Sequence, residues 1–171
     1  MSLAQSESRN NRKYVSGPYT PKNPEKYIGT KIPVYKSSYE WRMMYWCDLN
    51  TNVLKWSYEP FPIEYTFQVP DTAPDWMKSL VDYKVHRYYV DFYARIVDND
   101  GRVKDYMLEI KPYNQTIIPK EPKRKTKKTL KQFYISMCEF IKNSNKWAAA
   151  REKFNKQGID FQVLTERNLF S

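Results

Sequence analysis

An aspartate and a glutamate lie on either side of a turn signal near the middle of the chain. Residues 88–111 read YYVDFYARIV, then DNDG, then RVKDYMLEIK. Two runs rich in β-branched and aromatic residues around such a turn predict a β-hairpin. A turn centred near Asp100 places Asp91 across from Glu109, on the face that also carries Lys111. The alternate side chains are predicted to face the core together: Tyr88, Val90, Phe92, Ala94 and Ile96, with Tyr106, Leu108 and Ile110.

Two carboxylates that face each other across a strand pair repel, so a cation is expected between them. Lys111 is one candidate, and a divalent metal ion is the other. Two carboxylates and a substrate phosphate suit Mg²⁺ or Mn²⁺, which can acidify a bound water and stabilise charge on a phosphodiester. Lys111 would then orient the water or stabilise charge in the transition state. The simpler alternative is an exposed strand face on which Lys111 pairs with Glu109 or Asp91.

The composition favours a polyanionic partner. The chain has 171 residues, which corresponds to one domain with enough length to bury a core. Its net charge is +10 and 16% of its residues are aromatic, which points to nucleic acid. We expect no membrane span and no signal peptide. One histidine argues against His-centred catalysis, and Cys47 and Cys138 are expected to be free thiols of a reducing compartment.

Glu40 is open to two interpretations. Residues 37–40 read SSYE, a capping box that predicts a helix beginning near residue 38 and ending around residues 48–50. In this role the Glu40 carboxylate caps the N-terminus of the helix. The alternative is that Glu40 points toward Asp91 and Glu109 as a further metal ligand. The two roles are partly compatible.

The other patterns predict a mixed sheet covered by helices on both sides, which is an α/β fold. A strand is predicted over residues 53–58, and residues 63–69 are its continuation or its partner. Two helices are predicted after residue 130, interrupted at residues 143–145, with Gly158 as the C-terminal stop. A strand over residues 161–165 is expected to join the second hairpin strand in parallel through the helical crossover.

Basic residues concentrate in two segments. Residues 1–26 are polar and basic, and we expect an extended arm that orders, if at all, on a partner, leaving 27–171 as the folded domain. Residues 120–131 are dense in lysine and form either a solvated loop or a DNA contact. Their proximity in sequence to the predicted site favours DNA contact. The residues concerned are Lys123, Arg124, Lys125, Lys127, Lys128 and Lys131.

Several segments together resemble one family of nucleases. An N-terminal helix with a Glu, an Asp on the first hairpin strand and E-x-K on the next is the arrangement of the PD-(D/E)xK nucleases. Within that superfamily the chain resembles the head completion nucleases of T-even-like tailed phages, which are similar to TnsA-type endonucleases. The segments that carry the resemblance are YKSSYEWR at 35–42, MYWCD at 44–48, EIKP at 109–112 with Gln115 and Thr116, KWAAA at 146–150 and FQVLTE at 161–166.

The resemblance implies a restriction-endonuclease-like mixed sheet flanked by helices. It also implies that Glu40, Asp91 and Glu109 bind Mg²⁺ or Mn²⁺ and that Lys111 is the catalytic lysine. Two further residues match positions near the site, Gln115 and Lys146. The chain departs from the family at Val90, where many relatives have a proline that shapes the strand entry and does no chemistry.

The implied function is a metal-dependent DNA endonuclease that trims the DNA end protruding from a filled phage head. The implied partners are double-stranded DNA and head, portal or neck proteins, in the host cytoplasm and the virion. A homodimer is compatible with the resemblance, because a small nuclease fold often needs a second subunit to cut both strands. The alternative is a non-catalytic DNA-binding head completion protein that keeps the fold. The presence of Asp91, Glu109 and Lys111 together favours the enzyme.

Overall fold

The computed structural model describes residues 15–169 of the chain, and this part forms eight strands and four α-helices. Residues 1–14 of the expected basic arm lie outside this range. The elements are β1 (Gly17–Pro18), β2 (Val34–Tyr35), α1 (Ser38–Leu49), β3 (Val53–Tyr58), β4 (Pro62–Thr66), α2 (Asp75–Lys78), β5 (Val85–Tyr89), β6 (Phe92–Val97), β7 (Val103–Ile110), α3 (Lys127–Asn155), β8 (Asp160–Leu164) and α4 (Glu166–Leu169).

The central sheet has four strands in the order β3-β6-β7-β8. The strands β3, β6 and β7 pair antiparallel, and β8 pairs parallel to β7 after the α3 crossover. The β6–β7 turn is closed by the Asp98 carboxylate, which accepts the N–H groups of Asp100 and Arg102, and by Gly101 at φ 75. The predicted hairpin, the parallel last strand and the mixed α/β class are therefore confirmed.

Each face of the sheet is covered by one helix, so β7 is buried on both sides. Met107 and Leu108 are neighbours in β7, point to opposite faces and are both buried. One core contains Met43, Met44 and Cys47 of α1 with Trp56, Phe92, Ala94, Leu108 and Ile110. The other contains Trp147, Ala150 and Phe154 of α3 with Ile63, Tyr65, Tyr88, Val90, Met107 and Phe161.

The first hairpin strand is divided into β5 and β6, and a bulge in the neighbouring strand lies opposite the break. The antiparallel ribbon of β3 with β6 continues as β4 with β5, and β4 pairs with β5 rather than with β3. Between the pairs Tyr58–Phe92 and Pro62–Tyr89, three residues of one strand oppose two of the other. The extra residue is accommodated where Glu59 takes φ 45, a left-handed conformation.

The bulge corrects one prediction about the hairpin faces. Tyr88 and Val90 were expected to share a core face with Phe92 and Ala94, but they pack in the core under α3. The prediction was wrong because simple alternation assumes an unbroken strand, whereas this strand is broken at residues 90–91, opposite the extra residue of the neighbouring strand.

The helix α3 is continuous through residues 143–145, so the predicted interruption is wrong. The Ser144 hydroxyl donates to the carbonyl oxygen of Phe140, and the Asn145 amide donates to that of Ile141. These side chains therefore bond one turn back within the helix instead of capping a new one. The predicted stop is confirmed: Gly158 has φ 72, and Ile159 N–H donates to Phe154 O in a Schellman-type ending.

Residues 17–26 differ from the extended arm expected there, because they pack on the folded body through Asp48. The buried Asp48 carboxylate accepts the Tyr19 hydroxyl at 2.8 Å and the N–H groups of Lys22 and Asn23 at 2.7 and 2.9 Å. Burial by itself would raise the pKa of Asp48, but the hydrogen bonds outweigh it and lower the pKa. The ionised carboxylate thus fixes this segment against α1.

Both cysteines are free thiols. Cys47 is buried in α1, where burial raises the pKa of its thiol, and Cys138 is half-buried in α3. Across residues 15–169, none of the helices combines the length and the apolar character needed to cross a bilayer.

Candidate active site

The bulge and the hairpin register bring Asp91 and Glu109 to the same place. Asp91 directly precedes β6 and Glu109 is the penultimate residue of β7, so the pairing of Phe92 with Leu108 sets them opposite each other. The Asp91 carboxylate accepts the Ile110 N–H at 2.7 Å, and its backbone carbonyl accepts the Glu59 N–H at 2.8 Å. The side chain and the backbone of Asp91 are both held in position.

The carboxylate pair is electrostatically strained. Burial and the negative charge of Glu109 raise the pKa of Asp91 well above its ordinary value, although Lys111 and the Ile110 amide oppose this. The Glu109 side chain is only 3% exposed, and its Oε1 lies 3.1 Å from Lys111 Nζ. Burial lowers the pKa of Lys111, but Glu109 and Asp91 more than offset this, so the pKa is raised.

One oxygen of this pair is left without a partner. Glu109 Oε2 is buried and forms no hydrogen bond within residues 15–169. A buried, unpaired carboxylate oxygen is costly in free energy unless a cation or a donor completes it. Two carboxylates lie beside an ammonium group, and one of their oxygens has no partner. Such a group of oxygen ligands fits a hard divalent cation. In the described chain no three His, Cys, Asp or Glu side chains converge as a metal cluster, so the fit rests on two carboxylates.

Glu40 caps the N-terminus of α1 and also faces this region. Its N–H donates to the Ser37 hydroxyl at 3.1 Å, while its carboxylate accepts the Lys36 N–H at 2.8 Å and the Tyr58 hydroxyl at 2.7 Å. Burial and then Glu40 raise the pKa of Tyr58. The charge of Glu40 also raises the pKa of Asp91, although more weakly than burial and the charge of Glu109 do. Both interpretations of Glu40 keep support, but its carboxylate is already hydrogen-bonded.

Of the two accessory residues, Lys146 lies near the carboxylate pair. It is half-buried on α3, with Nζ 5.3 Å from the ring centre of Tyr88 and 5.9 Å from that of Tyr65. Burial and the positive charge of Lys111 lower the pKa of Lys146. Gln115 instead ends the 3-10 turn after Pro112, with an exposed side chain that lines a surface groove against α3.

Two residues at the rim of the site were assigned no role from the sequence. Lys36 Nζ lies 2.5 Å from Glu59 Oε1, and the pKa of Lys36 is raised by Glu59 and more weakly by Glu40 and Asp91. The sequence feature that could have drawn attention to Glu59 is the Glu59-Pro60 break between two predicted strands. That break shows that a strand ends, but it does not show which side chain the bulge turns toward the site.

The predicted DNA-binding residues are exposed on a loop and the start of α3. Lys123, Arg124 and Lys125 lie on the loop, and Lys125 forms an ion pair with Glu121 at 2.8 Å. The others project from the first two turns of α3, at Lys127, Lys128 and Lys131.

Comparison with known proteins adds a family to this geometry. Residues 50–166 match the family described as TnsA-like endonuclease N terminal. The chain is also 31% identical over 155 residues to the head completion nuclease of Enterobacteria phage T4, which covers 90% of this chain and 93% of that protein. The family match includes Asp91, Glu109 and Lys111, whereas Glu40 precedes it.

Proposed function

This chain belongs to the TnsA-like endonuclease family, and we propose that it is a DNA endonuclease that requires a divalent metal ion and acts in phage head completion. The observation that carries the proposal is the Asp91–Glu109 pair, in which a buried Glu109 oxygen has no partner and Lys111 lies beside the same carboxylate. The name of the T4 relative supports the stage at which it acts.

Asp91 and Glu109 would hold Mg²⁺ or Mn²⁺. When bound, such an ion supplies an acidified water and stabilises charge on the phosphodiester. Glu40 accepts the Lys36 N–H and the Tyr58 hydroxyl through Oε2, and its Oε1 has the Ser37 hydroxyl at 3.3 Å. Glu40 would therefore position α1 and Tyr58 through one oxygen and offer the other to the ion.

Lys111 acts as a hydrogen-bond donor and a positive charge rather than as a base. Its raised pKa keeps the ammonium form at neutral pH, because Glu109 and Asp91 stabilise the charge despite burial. An ammonium group beside the carboxylate pair can orient the nucleophilic water and stabilise charge that develops on the phosphate oxygens. Lys146 adds a second positive charge, whereas Gln115 would contact DNA only at the edge of the site.

The proposed substrate is double-stranded DNA, held by the exposed lysines of residues 123–131. The proposed task is to trim the DNA end that protrudes from a filled head, in contact with head, portal or neck proteins. This places the protein in the host cytoplasm and in the virion. A second copy of the chain would provide the second active site for cutting both strands.

Incubation of supercoiled DNA with the full chain tests this directly. We expect nicking with Mg²⁺ or Mn²⁺ and none with EDTA. Lys111→Met is expected to lower the rate about a hundredfold, because a preorganised charge at the phosphate is lost. Lys156→Met is the matched control, since Lys156 is exposed and pairs with the exposed Glu152 at the far end of α3. Equal cleavage by the Lys111 variant would indicate a contaminant or another site. Binding without cleavage by the unmodified protein would favour the non-catalytic alternative.

The lysines at the start of α3 are expected to control DNA affinity. The double variant Lys127→Ala/Lys131→Ala should weaken binding at least about tenfold and lower the slope of log K against log salt by about 2, because two phosphate contacts are lost. The same loss of charge at Lys153 and Lys156, on the last turn of α3 about 40 Å away, should change the slope little. Equal effects of the two double variants, measured by fluorescence anisotropy, would contradict this DNA surface.

A further inference from the structure

The outer face of α1 carries an exposed aromatic stripe. Trp41, Tyr45 and Leu49 follow one another at four-residue intervals and are 40%, 40% and 38% exposed, with Trp46 alongside at 41%. The opposite face of α1 already supplies the core. A contiguous group of large apolar side chains in water marks an interaction surface rather than a packing requirement. We name Trp41, Tyr45, Trp46 and Leu49 the α1 stripe.

The rings of the stripe are ordered as a platform with a cation beside it. Trp41 and Tyr45 stack with ring centres 5.4 Å apart and planes 17° from parallel. Lys22 Nζ lies 5.3 Å from the Tyr45 ring centre. The backbone of Lys22 is held by its N–H bond to the buried Asp48 carboxylate at 2.7 Å. Flat aromatic faces and a nearby positive charge are therefore present together before any ligand binds.

The platform begins next to the candidate active site. Trp41 directly follows Glu40, whose carboxylate bonds to Tyr58 at the end of β3 and influences the pKa of Asp91. The platform therefore begins at the end of α1 that borders the candidate active site.

Flat aromatic rings with a nearby lysine fit the bases and phosphates of unpaired nucleotides. Bases inside a duplex are stacked on each other and offer no free face, whereas unpaired bases stack on aromatic side chains. A net charge of +10 attracts the phosphates. We propose that the α1 stripe binds unpaired nucleotides beside the cleavage site, so that the preferred substrate is DNA with a single-stranded extension. This inference rests on the proposed nuclease function, whose substrate class it narrows.

The test is a binding measurement in EDTA, so that it does not depend on cleavage. Fluorescence anisotropy would compare the full chain on a blunt duplex and on a shorter duplex with a single-stranded extension, the two DNAs having the same total number of phosphates. We expect the extended DNA to bind about tenfold more tightly. Trp41→Ala should bring the ratio of the two affinities close to one, and Trp41→Phe, which keeps a ring, should restore most of it.

Tyr83→Ala provides the matched control, because Tyr83 is also an aromatic side chain and is 89% exposed on the loop before β5. It should leave the preference unchanged, and thermal unfolding would verify that each variant is folded. Equal binding of blunt and extended DNA by the unmodified chain would overturn the inference. An unchanged preference in Trp41→Ala would also overturn the inference. Self-association of the unmodified chain that Trp41→Ala abolishes would overturn it too, because the stripe would then be a contact between copies of the chain. If the unmodified chain prefers extended DNA but cleaves none, the binding of unpaired nucleotides by the α1 stripe would be supported and the nuclease proposal would be contradicted.

Discussion

Asp91→Asn is expected to lower the rate of DNA cleavage at least about a thousandfold and to raise the free energy of unfolding in EDTA by about 1 kcal/mol. The stability should rise because the ionised Asp91 is partly desolvated by its half-buried position and lies opposite the negative Glu109, both of which disfavour its charge. The asparagine oxygen can still accept the Ile110 N–H, so the local structure is retained. Activity should fall because the amide replaces one of the two proposed metal-binding carboxylates.

Urea unfolding in EDTA and then in Mg²⁺ measures both parts of this prediction. Added Mg²⁺ should stabilise the unmodified chain, because a ligand that binds only the folded state raises the free energy of unfolding, and it should stabilise Asp91→Asn much less. Asp100→Asn is the matched control on the exposed hairpin turn. An Asp91→Asn variant that is less stable than the unmodified protein in EDTA, or that cleaves normally, would contradict the carboxylate-pair account.

Asp48→Ala is expected to lower the free energy of unfolding by about 3 kcal/mol near pH 7, because three buried or half-buried donors lose their acceptor. These donors are the Tyr19 hydroxyl and the N–H groups of Lys22 and Asn23. The folded-state pKa of Asp48 is lowered, so its ionised form stabilises the fold above the unfolded pKa of about 3.9. That stabilisation is lost as the pH falls through the still lower pKa of the folded state.

Urea unfolding at several pH values would test this. The difference in stability between the unmodified chain and Asp48→Ala should be largest near pH 7 and should shrink below about pH 4. Asp71→Ala, at an exposed position of the loop before α2, should show neither the loss nor the pH dependence. Limited proteolysis should also cut Asp48→Ala faster than the unmodified chain within residues 17–26. A difference that stays constant down to about pH 3 would show that the ionised carboxylate is not the source of the stability.

Local patterns in the chain were enough to predict the hairpin, the helix beginning near residue 38 and the parallel last strand. These features depend on period-2 alternation, turn residues and a capping serine, all of which lie within a few residues of each other. The spacing of Asp91 from Glu109 and Lys111 also follows from a hairpin register set by its own short turn. The sequence alone was therefore enough to predict that Asp91 and Glu109 lie opposite each other on the hairpin.

Only the tertiary structure decided which of these side chains are buried, paired or left without a partner. The bulge at Glu59 depends on pairing between strands that are distant in sequence, so alternation along one strand could not reveal that Tyr88 and Val90 turn to the other core. Glu40 shows the same limit, since its carboxylate bonds to a tyrosine 18 positions away. The unpartnered Glu109 oxygen arises only when the sheet closes under both helices, because burial is a property of the packed chain and not of the residue type.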